Sequence, residues 1–71
     1  MASSVYRVID VIGTSDKSWD DAAAAAVATA SGSLRDLRVA EVTKLDVTIG
    51  DDGKVAQYRT RLNLSFKYEG G

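Results

Sequence analysis

The sequence predicts an α+β domain in the order β-α-β-β, a three-stranded antiparallel sheet packed on one helix. Three observations carry that expectation. A β-branched run fills Val5–Ile12. An alanine-rich run fills Ala22–Ala30. Two long alternating stretches, Leu37–Ile49 and Val55–Tyr68, flank Gly50-Asp51-Asp52-Gly53. With 71 residues, no Pro, no linker and no repeat, the chain reads as a single domain over 1–71, residues 1–4 forming a flexible lead.

The first strand, Val5–Ile12, carries Val5, Arg7, Ile9 and Val11 on one face and Tyr6, Val8, Asp10 and Ile12 on the other. Each face is apolar with one charge, which predicts burial on both sides. Gly13-Thr14-Ser15 then reads as a turn. Ser18 with Asp21 three residues on resembles a capping box, and Asp16, Asp20 and Asp21 suit the positive end of a helix dipole. Trp19, Ala23, Ala26, Val27, Ala30 and Leu34 recur at helical spacing, and Gly32 places the helix end between Ser31 and Arg35.

Strict alternation in Leu37–Ile49 puts Leu37, Val39, Glu41, Thr43, Leu45, Val47 and Ile49 on one face. Arg38, Ala40, Val42, Lys44, Asp46 and Thr48 fall on the other. The Asp-Gly pair supplies the positive φ of a tight hairpin. Beyond it, Ala56, Tyr58, Thr60, Leu62, Leu64, Phe66 and Tyr68 form an apolar face against Gln57, Arg59, Arg61, Asn63, Ser65 and Lys67. These last two strands are antiparallel neighbours, each about 40 Å long at ~3.3 Å per residue. That exceeds what one helix can cover and points to a homo-oligomer. A chain this short buries only about 60% of its surface alone, so it needs a supplement to its core.

Composition narrows both that supplement and the chemistry. There is no Cys and no His. Disulfides, structural zinc, thiol nucleophiles and imidazole bases are therefore excluded, and no carboxylate pair has the company of an active site. No Walker or dinucleotide motif occurs. Nine basic and ten acidic residues give a net charge of −1, no argument for nucleic acid or a membrane surface. Met1-Ala2-Ser3-Ser4 lacks the basic and apolar regions of a secretory leader, and the expected location is cytoplasmic.

The residues also resemble a known family. Val-Ile-Gly-Thr-Ser at 11–15, Ser18-Trp19-Asp20-Asp21-Ala22-Ala23, Leu37-Arg38-Val39-Ala40-Glu41-Val42, Tyr58-Arg59-Thr60 and Leu64-Ser65-Phe66 are similar to dodecins over nearly the whole chain. The resemblance implies a hollow homododecamer of cubic 23 symmetry, built with trimeric contacts, that stores flavin (FMN or riboflavin) and is not an enzyme. In that family a Trp on the second strand stacks on the flavin ring and a Gln on the third bonds its polar edge. Those positions are Val39 and Arg59 here, and both changes count against ordinary flavin binding. Val cannot stack, and Arg donates but cannot accept. Arg38 and Lys44 complete the candidate ligand set.

The chain is similar to the subgroup without that Trp, the calcium dodecins. This raises an alternative: a calcium-binding or purely structural assembly that has lost flavin. Asp20, Asp21, Asp51 and Asp52 are the candidate calcium ligands, although helix-start and turn roles account for the same residues. Trp19 reads as packing rather than as a displaced stacker. The basic row Arg59, Arg61 and Lys67 suits a phosphate or an acidic cofactor edge. Its plainer reading is a sheet face balanced by Glu41 and Asp46.

Overall fold

The computed structural model describes residues 3–67. Strand β1 is Tyr6–Ser15, helix α1 Trp19–Ser31, strand β2 Leu37–Ile49 and strand β3 Val55–Lys67. The expected end of the last strand at Tyr68, and residues 1–2 of the expected flexible lead, lie outside the described residues. The three strands form one antiparallel sheet of order β1-β3-β2, so the last strand in the chain is central. The molecule measures 57 × 20 × 16 Å, because the long hairpin runs past the helix.

The helix begins where the capping residues place it. Ser18 is extended, and its side chain accepts from the Asp21 backbone N–H at 3.0 Å. Gly32 closes the helix, within the expected interval. Ala23, Ala26, Val27, Ala30 and Leu34 are half-buried as the stripe predicts, but Trp19 at its head is 37% exposed, and Ala22, outside it, is fully buried. Beneath the helix, Thr60, Leu62 and Leu64 of β3 are buried, and Tyr58 and Phe66 flank them.

Gly13-Thr14-Ser15 is not a turn. It is the last part of β1, paired with Thr60, Arg59 and Tyr58. A Gly after a β-branched run signals a tight place, and here the tightness is packing. A side chain at Gly13 would strike the carbonyl oxygen of Ala22 and stand 3.0 Å from the Ala26 methyl. The bare backbone lets α1 lie directly on the strand. Ser15 then organises the connection. Its hydroxyl donates to Asp21 Oδ2 at 2.7 Å and accepts from the N–H of Lys17 at 2.9 Å.

The even alternation expected of β2 is interrupted twice. The register slips between Leu37 and Val39 and between Val42 and Lys44, leaving Arg38 and Thr43 as extra residues. Residues between the bulges are inverted. Ala40 and Val42 pair with Leu64 and Leu62 on the helix side, while Val39 and Glu41 pair with Ser65 and Asn63 on the open side. The second bulge restores the expected phase, so Leu45 and Val47 face the helix side and Lys44, Asp46 and Thr48 the open side.

Nor is β1 buried on both sides within one copy. Ile9 and Val11 are half-buried toward α1, but Val8 is 58% and Ile12 49% exposed on the open side. The helix lies over β1 and β3 and barely reaches β2, leaving Val42 and Leu45 about half exposed.

Candidate functional site

The face of the sheet away from α1 gathers most of the candidate ligand residues. Across three strands it presents Val8, Asp10, Ile12 and Thr14 from β1, then Arg59, Arg61, Asn63 and Ser65 from β3. From β2 come Val39, Glu41, Lys44 and Asp46. Opposite charges meet there. Arg59 Nε donates to Asp46 Oδ1 at 2.9 Å, and Arg61 Nη2 to Asp10 Oδ2 at 3.3 Å. Both pairs are 38–52% exposed, which limits each to well under 1 kcal/mol of stability. Their effect is orientation: each guanidinium is held through one nitrogen.

The sequence-derived ligand set does not converge within one copy. Val39 pairs with Ser65 and Arg59 with Asp46, six positions apart along β3, or about 20 Å. A site using both must draw them from different copies, or they serve different sites. Lys44 pairs directly with Arg61, two positions from Arg59. Arg38 sits at the first bulge, 3.9 Å from Asp36. A shallow recess of about 210 Å³ joins Arg38 and Val39 to Leu37, Ala40, Val27 and Leu64.

Of the carboxylates expected to hold calcium, Asp21 and Asp52 have local duties, whereas Asp20 and Asp51 make no side-chain hydrogen bond or ion pair among the described residues. Asp21 accepts from Ser15, and Asp52 Oδ1 accepts from the Lys54 backbone N–H at 2.9 Å, closing the hairpin turn. Among the described residues of one copy no three carboxylates gather around a point. The further oxygens of a six- to eight-coordinate ion would have to come from backbone carbonyls, water or other copies.

Trp19 packs, as expected. Its indole N–H donates to the carbonyl of Asp46 at 3.0 Å, and its ring meets Tyr58 edge-on at 5.1 Å. Asp46 thus holds the helix start through its backbone and Arg59 through its carboxylate. Its place opposite Arg59 is set by the register beyond the second bulge, and the inversion between the two bulges brings Glu41 onto the same face.

Comparison with known proteins follows the same geometry. The Dodecin family profile matches residues 5–69. The chain belongs to the dodecin family. It is 52% identical over 64 residues to calcium dodecin of Mycobacterium tuberculosis, covering 90% of this chain and 89% of the relative. It is 37% identical over 65 residues to dodecin of Thermus thermophilus, covering 92% and 93%. Among solved structures, dodecin from Streptomyces coelicolor superposes with a TM-score of 0.91 at 41% identity over 100% of both chains. The calcium dodecin structure from Mycobacterium tuberculosis, described as having a novel calcium-binding site, superposes at 0.84 with 48% identity over 96% of each. The β-α-β-β order, the antiparallel sheet and its single helix are those of dodecins. Among the described residues no helix is long and apolar enough to cross a membrane.

Proposed function

We propose that the chain is the subunit of a non-enzymatic, homododecameric dodecin that stores a small ligand between copies. The observation that carries this is the uncovered sheet of a dodecin fold. Val8, Ile12 and Val39 on one side, and Val42 and Leu45 on the other, are each about half exposed or more. So much apolar strand surface on so small a chain calls for cover by further copies. A flat aromatic ligand such as FMN or riboflavin suits a partly apolar face ringed by donors. Val39 supplies contact without stacking, and Arg59 offers donors only, so the ligand must present acceptors there. With no His and no Cys in the chain, holding rather than transforming the ligand is the consistent role.

The assembly is tested by light scattering. Twelve copies of a 7.6 kDa chain weigh about 91 kDa, and a monomer or dimer would refute the reading. The ligand is tested by flavin fluorescence. Quenching at micromolar protein is expected, and its absence with an intact assembly removes flavin.

Calcium is the second reading, favoured by the 52% identity to a protein named calcium dodecin. The ligands would be carboxylates of Asp20, Asp21, Asp51 or Asp52 contributed by several copies. Calcium should then raise the melting temperature over a chelator control. An unchanged value across millimolar calcium rejects a stabilising site.

A further inference from the structure

A second cluster on the open face is built differently from the Arg59–Asp46 pair. Asp10, Thr43, Lys44, Arg61 and Asn63 line a shallow cleft of about 300 Å³, wide open to solvent, that spans all three strands. The Thr43 bulge restores the strand phase that puts Lys44 opposite Arg61, and the Thr43 hydroxyl anchors the bulge by donating to the Arg61 carbonyl at 3.3 Å. Two cations are thereby seated side by side, an arrangement that costs energy unless an anion joins them.

Inside the chain they are only partly answered. Asp10 takes Arg61 Nη2 and leaves Nε and Nη1 without a partner among the described residues. Lys44 makes no ion pair or side-chain hydrogen bond among them, and neither does the amide of the half-buried Asn63. Glu41 shares this face opposite Asn63, but it does not line the cleft and bonds neither cation. The lining therefore holds two positive charges against one negative, with ammonium, guanidinium and amide donors around one small concavity.

The geometry points to an oxyanion subsite, with Lys44, Arg61 and Asn63 as the donors and a phosphate group as the ligand chemistry. Guanidinium and ammonium together match a tetrahedral oxyanion, and charge-assisted bonds are the stronger kind. The subsite deepens the storage reading and rests on it for biological context: the assembly should prefer a phosphorylated ligand over the same ligand without phosphate. Free phosphate and a phosphate monoester share this chemistry, and the experiment separates them.

The assembled full chain is titrated with inorganic phosphate by 31P NMR, and with FMN and riboflavin by fluorescence. Lys44→Gln/Arg61→Gln is compared with Lys54→Gln, a control on the hairpin. Line broadening is expected for the parent and the control and is lost in the double variant. FMN should bind about tenfold more tightly than riboflavin, a ratio that falls toward one in the double variant. Should that variant fail to assemble, Lys44→Gln alone serves, because its side chain breaks no contact within the chain. Broadening that survives in the variants, or disappears equally in Lys54→Gln, overturns the subsite. Phosphate broadening with no flavin binding keeps the subsite, as one for free phosphate, and removes the flavin reading. Equal binding of both flavins without phosphate broadening does the reverse.

Discussion

Replacing Gly13 with Ala is the sharpest test of how the helix is seated. A methyl at this position would overlap the carbonyl oxygen of Ala22. It would also lie 2.9 Å from the Ala22 carbonyl carbon and 3.0 Å from the Ala26 methyl. Two of these three atoms are helix backbone, so no rotamer change relieves the clash. The helix must lift from β1, and Ala22, at 0% exposure, opens with it. Overpacking costs about 1–3 kcal/mol, and a collision with backbone belongs at the upper end. At about 4–8 °C per kcal/mol for a chain of this size, the melting temperature should fall by about 12–24 °C. The assay is thermal denaturation by circular dichroism at one fixed protein concentration, because assembly couples to stability. Adding Ala26→Gly should restore little, since the Ala22 oxygen remains in the way. A Gly13→Ala protein melting within about 3 °C of the parent refutes the packing account and returns Gly13 to a mere strand end.

Ser15→Ala removes the hydroxyl of a 9%-exposed residue that serves Asp21 and Lys17 together, and should cost about 1–3 kcal/mol in urea denaturation. Trp19→Phe keeps most of the ring but loses the bond to the Asp46 carbonyl, and should cost about 1 kcal/mol; it also abolishes the emission of the only Trp in the chain. Gly53 has φ of +77° and open space around it, so Gly53→Ala should cost about 1 kcal/mol through backbone strain, while Gly53→Asn costs visibly less. Asp46→Asn should change stability by under about 1 kcal/mol in a double-mutant cycle with Arg59→Gln, because both partners are more than a third exposed.

The sequence by itself determined the elements and their order. Ser18 with Asp21, the alanine run and Gly32 set the helix, and Asp52-Gly53 set the hairpin, because caps and turns rest on interactions a few residues apart. From Gln57 onward the inward face of β3 was equally legible, since its period of two holds there; the register shift opposite Thr48 and Ile49 leaves Ala56, expected on that face, unpaired and exposed. Absent Cys and His bounded the chemistry just as directly. The tertiary structure decided what depends on contact between distant residues. Nothing local separates the turn that Gly13 suggests from the helix contact it makes, because the clashing atoms belong to Ala22 and Ala26. Even alternation in β2 gave no warning that bulges at Arg38 and Thr43 would invert residues 39–42, because a bulge is settled by the pairing of two strands. That pairing carries Val39 about 20 Å from Arg59 and restores Lys44 to the side of Arg61. Residue types at a strand's surface can be read from the chain; which of them meet is fixed by register, and register exists only once the sheet has formed.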